Sequence, residues 1–408
     1  MKSDALNIIN RAIKAADPYD STKNILTTLK CEIGGNLTVF SIGKAAVPMA
    51  SAAQDVFGDE IKKGLLVTKY GHIGSFRSDI FEAIESAHPI SDKNSILAAE
   101  KALLIADNLT ENDVLIVLLS GGGSALMEKS ILPAETQKNI TEKLLARGAE
   151  IDEINAIRRR ISLVKGGRLA VAAYPAKVYT VALSDVLNND KSVIASGITV
   201  AEPLALSEFK KIANKYLPEY TDLFENTVYD DGASEINDGG FFYAGDINSL
   251  CSAAEARAKE LGYTVADSAR NLTGEASETA AKLVNASLDL PGKNAFVYGG
   301  ETTVTLKGNG LGGRNQEMAL RAAIEISGRK NIVFASVGSD GTDGPTDAAG
   351  GIVDGDTYRE MVQKGLNPEE ELRNNNSYYA LKSVDSLVVT GPTGTNVNDL
   401  TLILTDNR

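Results

Sequence analysis

Six apolar residues in a row, Val114-Leu-Ile-Val-Leu-Leu119, run without a polar interruption into Ser120-Gly-Gly-Gly-Ser124. A strand with one wet face alternates apolar and polar side chains, so a continuous run has to be covered on both faces. Strands are expected at 37–42, 64–69, 81–86 and 177–183 as well, with helical patterns at 44–56, 94–108, 133–147 and 150–164 between them. β-branched strands alternating with helices point to an α/β fold, a doubly wound and mostly parallel sheet. Residues 1–16 place Leu6, Ile9, Ala12, Ile13 and Ala16 on one face, a docked amphipathic helix without the apolar core of a signal peptide.

At 408 residues the chain is long enough for two or three domains. Turn-rich sequence around 218–245 marks a boundary, giving domains 1–235 and 236–408. Beyond it, helices are expected at 250–260, 277–287 and 315–326, and strands at 263–267, 294–298 and 331–337. Residues 292–355 hold 14 glycines in 64 positions, against an average of about 7%. That density is expected to form tight loops approaching a ligand.

Charge excludes several classes. With 41 Lys+Arg against 54 Asp+Glu the net charge is −13, unsuited to general nucleic-acid or anionic-membrane binding. Two cysteines and two histidines leave no Cys-rich or His-rich metal site, so any metal must use oxygen ligands. The six-residue apolar run is the longest of its kind and far too short to span a bilayer. A cytoplasmic protein is expected.

Ligands of open α/β sheets bind beyond the carboxyl ends of the strands, and four loops lie there. In Ser41-Ile-Gly-Lys44, Gly43 permits a tight turn and Lys44 is expected to open the next helix, placing two positive features at one point. Ser120, Gly121, Gly122, Gly123 and Ser124 offer backbone amides and hydroxyls as an anion cradle, although no Walker A pattern exists in the chain. Asp185, after 177–183, is a candidate magnesium ligand or base, with Asp190 just downstream. The fourth region runs from Gly299-Gly-Glu301 through Gly308-Asn-Gly-Leu-Gly-Gly-Arg314 to Ser339-Asp340-Gly-Thr-Asp343. Gly308, Gly310 and Gly313 satisfy G-x-G-x-x-G, but the acidic residue a dinucleotide site needs is missing at its usual distance. Arg158 lies at the edge of the apolar stripe Ile151, Ile154, Ile157, Ile161 and Val164, where it can reach a site. Arg159 and Arg160 are expected to face solvent, and His72 and His88 to be structural.

Taken in order, Ser41-Ile-Gly-Lys44, His88-Pro89, Ser120-Gly-Gly-Gly-Ser124, Ile154-Asn-Ala-Ile-Arg158, Lys165-Gly-Gly-Arg168, Ser184-Asp185, Gly299-Gly-Glu301, Gly312-Gly-Arg314-Asn-Gln-Glu317, Ser339-Asp340-Gly-Thr-Asp343 and Gly391-Pro-Thr-Gly-Thr-Asn396-Val-Asn-Asp399 resemble the glycerate 2-kinase family, whose C-terminal part is the MOFRL domain. The likeness extends from about residue 5 to 405. It implies a Rossmann-like N-terminal domain, a smaller α/β MOFRL domain and an active site in the cleft between them. It also implies transfer of the γ-phosphoryl of ATP, with Mg²⁺, to the 2-hydroxyl of D-glycerate. Lys44, Arg314 and Asp185 are then the catalytic candidates. Glu301, Asn315, Glu317, Asp340, Asp343 and Asn396 join the glycine loop, Arg158 and Asp190 as phosphate- or substrate-binding candidates, and Asp185 and Asp190 are the metal candidates. The chain departs from the family pattern at Ser91, Leu187-Asn-Asn-Asp190 and Ile198, which alters loop shape. Expected partners are the small molecules D-glycerate and ATP, with no nucleic acid and no membrane; homo-oligomer formation is left open. The competing reading is an NAD(P)H-dependent hydroxypyruvate reductase, drawing on the G-x-G-x-x-G match; a sugar-phosphate-binding regulator has no supporting motif.

Overall fold

The computed structural model describes residues 1–186, 188–202, 204–227 and 236–407. Leu187, the turn segment 229–232 and the expected 235/236 boundary lie outside the described residues. The strands are β1 (Asn36–Ile42), β2 (Ile61–Lys69), β3 (Phe81–Ser86), β4 (Asp113–Leu119), β5 (Lys177–Leu183), β6 (Asp238–Gly245), β7 (Thr264–Leu272), β8 (Gly292–Gly300), β9 (Ile332–Gly338), β10 (Gly350–Asp354), β11 (Leu387–Val388) and β12 (Asp399–Asn407). They form two six-stranded sheets, ordered β3-β2-β1-β4-β5-β6 and β11-β10-β9-β12-β8-β7.

In the first sheet β1 pairs in parallel with β2 and β4, β2 with β3, and β4 with β5. Val114 to Leu119 are all buried, as the uninterrupted apolar run requires, and the mixed α/β architecture follows the sequence expectation. The order turns back on itself between β1 and β4. This is the switch point at which open α/β sheets collect ligands.

The second sheet is mixed. β12 is antiparallel to both β8 and β9, so these two run parallel to each other with the C-terminal strand inserted between them. Asp399, the first residue of β12, therefore stands opposite Gly300 at the end of β8 and Gly338 at the end of β9. The sequence expectations did not include β6, β10, β11 or β12.

By contacts the chain divides into two compact units, Thr22–Ala182 with Asp190–Ala244, and Met1–Ser21 with Leu183–Asn189 and Gly245–Arg408. The first helix, Lys2–Ala15, thus groups with the C-terminal half. Polar contacts explain why: Arg257 Nε donates to Asn7 Oδ1 at 2.7 Å, Tyr263 OH to Asp4 Oδ2 at 2.8 Å, and Lys2 pairs with Asp354 at 3.0 Å. Segment 183–189 is held by Asn189 Nδ2 donating to Asp246 Oδ2 at 2.5 Å and Asn398 Nδ2 donating to the Asp185 carbonyl at 2.8 Å.

Candidate active site

In the unit containing β1 to β4, two strand-end loops are stitched together. The Lys44 amide donates to the Gly121 carbonyl at 3.0 Å, the Ala45 amide to Ser120 Oγ at 3.0 Å, and the Ser120 amide to the Ile42 carbonyl at 2.9 Å. Glycine is required at 43, where φ is +132° and a Cβ would lie 2.1 Å from Ser120 Oγ. The helix that follows is Ala46–Phe57. Lys44 therefore precedes it by two residues and does not open it, because its amide is committed to Gly121. Its side chain is exposed and has no ion-pair or hydrogen-bond partner among the described residues.

Gly122 is left-handed, φ +90°, and begins a single helical turn, Gly123–Leu126. A Cβ there would lie 2.9 Å from His88 Cδ2, so the imidazole rests on this glycine. Burial, then the charges of Lys44 and Lys69, lower the His88 pKa and hold the ring neutral at pH 7. The sequence predicts only a structural His88, and the one local signal it offers is the position between a strand and Pro89. Ser124 Oγ lies 2.8 Å from Ser196 Oγ, and Ala195 packs over Gly123.

The arginine cluster differs from expectation. Arg159 and Arg160 are buried. Arg159 makes a two-point contact with Glu202, Nε to Oε2 at 2.8 Å and Nη2 to Oε1 at 3.1 Å, and Arg160 bonds the Leu204 carbonyl. Helical periodicity cannot reveal a carboxylate 43 residues downstream that neutralises the inner face. Arg158 is half-buried with no partner among the described residues, and desolvation lowers its pKa. Asp190 is exposed and accepts from the Ser192 amide and hydroxyl at 2.9 and 2.8 Å.

The second cluster is built where β8 and β9 end and β12 begins. Arg314 opens the helix Arg314–Glu325. Its Nε and Nη2 grip the two oxygens of Asp399, the latter at 3.0 Å, and its Nη1 meets Glu301 Oε1 at 2.7 Å. Burial works against the Arg314 charge, but the hydrogen bonds and charge of Asp399, then Glu301 and Asp343, outweigh it and hold the guanidinium protonated. Asp399 is pushed up to about 6, chiefly by burial, with Arg314 offsetting part of the effect and the Asp343 and Glu301 charges adding to it.

The anionic partner that an arginine at a helix N-terminus needs is therefore supplied by the chain's own Asp399 and Glu301. The helix N-terminus is also filled from within. The Asp343 carboxylate accepts from the Gln316 amide at 2.8 Å and the Asn315 amide at 3.2 Å, and burial raises its pKa.

The glycines of this run pack against neighbouring segments of the chain, and Gly310, Gly312 and Gly313 also line the cavity beside Arg314. A Cβ on Gly310 would meet Asn376, one on Gly312 the Ser377 hydroxyl, and one on Gly313 the Asp343 carboxylate. These glycines admit neighbouring segments of the chain, and none has positive φ. Asn315 and Glu317 are buried: Asn315 Oδ1 accepts from Ser336 Oγ at 2.6 Å, and Glu317 Oε2 from Asn375 Nδ2 at 3.1 Å. Asp340 accepts from the Thr342 amide at 2.9 Å. Asn396 is half-buried in the loop before β12, where Asn398, not singled out from sequence, carries the contacts. It adopts φ +67°, is buried, and bonds both Asp185 and Glu301.

A cavity of about 380 Å³ lies beside Arg314, bounded by Thr302, Val304, Leu306 and Glu317. Asp185 and Asp190 fall in different contact units, and no group of three or more His, Cys, Asp or Glu is placed to hold a metal ion among the described residues. No described helix is long and apolar enough to cross a membrane.

Comparison with known proteins places these features in a family. Residues 4–226 match the family model described as a domain of unknown function, DUF4147, and residues 294–399 match the MOFRL family. The chain is 40% identical to a D-glycerate 2-kinase of Thermotoga maritima, covering 98% of this chain and 97% of that one. It is 38% identical to a glycerate 2-kinase of Pyrococcus horikoshii over 99% and 97%. The crystal structure of a Thermotoga maritima glycerate kinase superposes with a TM-score of 0.91 at 39% identity, covering 99% of each chain. With relatives aligned from end to end and both family models matched in order, the chain belongs to the glycerate 2-kinase family of DUF4147–MOFRL architecture.

Proposed function

We propose that this protein is an ATP-dependent D-glycerate 2-kinase. The observation that carries the reading is end-to-end similarity to glycerate 2-kinases, joined to an unpaired lysine on a glycine loop at the switch point of a parallel sheet. In the reaction the bond from the γ-phosphorus to the β,γ-bridging oxygen breaks, releasing ADP, and a bond to the glycerate 2-oxygen forms. Little covalent work falls to the protein; positioning and cations carry the catalysis.

Lys44 supplies a cation with no competing partner among the described residues, and the Gly121–Gly123 amides cradle anionic oxygens. Arg314, locked by Asp399, presents a fixed guanidinium to the transferring phosphoryl. Arg158, half-buried and without a counter-ion among the described residues, takes the glycerate carboxylate. His88, held neutral, accepts the proton of the 2-hydroxyl. Asp185 and Asp190 are the carboxylates that would hold Mg²⁺, which would supply positive charge to the nucleotide phosphates. Glu301, Asn315, Asp343, Asp340 and Asn396 act from behind, orienting Arg314 and the loops around it.

One observation weighs against a nicotinamide-dependent reductase. A dinucleotide pyrophosphate sits on the helix N-terminus after G-x-G-x-x-G, and here Asp343 occupies that position. The test is to incubate pure protein with ATP, Mg²⁺ and D-glycerate and add enolase alone. Phosphoenolpyruvate is expected, because 2-phosphoglycerate is its direct precursor. Oxidation of NAD(P)H by hydroxypyruvate without ATP turnover overturns the kinase reading.

A further inference from the structure

We infer that the cavity beside Arg314 holds the nucleoside of the phosphoryl donor, with the Glu317 carboxylate and Thr302 hydroxyl engaging ribose hydroxyls and Val304 and Leu306 covering the base. This inference rests on the kinase reading and adds to it the place of the donor.

Size is the first support. At about 380 Å³ the cavity falls within the range of small-molecule pockets, with room for a purine and a ribose. Charge is the second. Glu317 and Asp343 line the cavity, and its cation, Arg314, is already gripped by Asp399 and Glu301. With two carboxylates facing the cavity and its one cation shared between Asp399 and Glu301, the lining favours a neutral group rich in donors over a small carboxylate.

Unmet hydrogen bonding is the third. Glu317 is 4% exposed, yet its one partner among the described residues is a single amide, Asn375 at 3.1 Å, and it has no paired cation. Thr302 is equally buried, and its hydroxyl meets only the Met318 sulfur at 3.6 Å. Buried polar groups ordinarily find stronger partners. A vicinal diol supplies two donors to a carboxylate. Leu306 is 78% exposed at the rim while Val304 is half-buried and packs against the apolar core, so one wall of the opening is apolar and suited to the face of a base.

The test uses the full chain and a ligand without phosphates. Photolabelling with 8-azidoadenosine, protected by unlabelled adenosine, is expected to modify peptides spanning 301–317 or 374–377. By calorimetry Glu317→Gln is expected to weaken adenosine binding by about ten-fold or more, since hydrogen bonds to charged groups contribute about 1.5–3 kcal/mol. The same variant should lose the preference for adenosine over 2′,3′-dideoxyadenosine. If Glu317→Gln does not fold, Leu306→Asp, on the surface, should weaken binding as well.

Label confined to 22–182 in a protein that makes 2-phosphoglycerate overturns the assignment and leaves the kinase reading standing. Label at 301–317 in a protein that makes no 2-phosphoglycerate overturns the kinase reading instead. Loss of Mg²⁺ binding in Glu317→Gln with adenosine binding intact makes the cavity a cation site and also overturns the assignment.

Discussion

Arg314 and Asp399 meet as two parallel hydrogen bonds, from Nε and Nη2 of one to the two carboxylate oxygens of the other, although 85 residues separate them in sequence. The contact exists because β12 inserts between β8 and β9, so that a strand's first residue arrives where two other strands end. A planar fork held this way has one orientation, and lysine cannot reproduce it. Arg314→Lys is expected to lower kcat by on the order of 10²-fold with a small change in KM for glycerate, the pattern of a group that acts in the transition state. Steady-state kinetics with glycerate varied at saturating ATP checks this. A raised KM with unchanged kcat would move Arg314 to ground-state binding of the carboxylate.

Lys44 gives the complementary case of a cation that holds no partner among the described residues. Lys44→Ala is expected to lower kcat by on the order of 10²-fold or more. Because the side chain is exposed and unpaired, the urea midpoint should stay within error of wild type. An unchanged kcat in the folded variant assigns Lys44 to the solvated surface.

Asp399 makes the pH dependence specific. Its folded value is raised to about 6, above the roughly 3.9 of an unfolded chain, so as pH falls the native state takes up this proton first. The ionised, buried carboxylate therefore costs stability above about 6, on the order of 3 kcal/mol, and the cost is relieved as pH approaches 4. Activity should move the other way, since a protonated Asp399 no longer grips Arg314 at two points. An acid limb in kcat near pH 6 is expected, and Asp399→Asn should flatten it at a lower overall rate. Stability that does not differ in pH slope between wild type and Asp399→Asn across pH 4–7 rules this out.

Much of the first sheet was readable because its information is local. Val114–Leu119 announces burial on both faces, and Lys177–Leu183 coincides with β5. The contacts that shape the candidate site are not local. Arg159 and Arg160 look solvated until Glu202 and the Leu204 carbonyl arrive from a distant loop. Gly312 and Gly313 pack against Ser377 and Asp343, neighbours that no local pattern announces. Asn398 carries no periodic signal at all, and its role depends on Asp185 and Glu301 converging from distant parts of the sequence. Strand identity is local chemistry, whereas pairing of charges is decided by topology.

The buried pair Lys165–Glu128 offers a test of stability away from the chemistry. Lys165 is fully buried and bonds Glu128 Oε2, while Ser162 Oγ donates to Glu128 Oε1 at 2.8 Å. Burial pushes the Lys165 pKa down, and the facing carboxylate is what keeps an ammonium tolerable there. Removing one partner leaves a buried charge uncompensated, which costs about 3–5 kcal/mol, whereas replacing both by apolar residues of similar volume is often neutral. Lys165→Met alone and Glu128→Leu alone are therefore each expected to lower stability by about 3 kcal/mol or more. The double variant should recover most of that loss, apart from the Ser162 hydroxyl, which is left without its acceptor at a cost of about 1–3 kcal/mol. Urea denaturation of the four proteins completes the cycle. Additive single effects would mean that the pair contributes no coupling and that Lys165 is held by packing of its aliphatic stem.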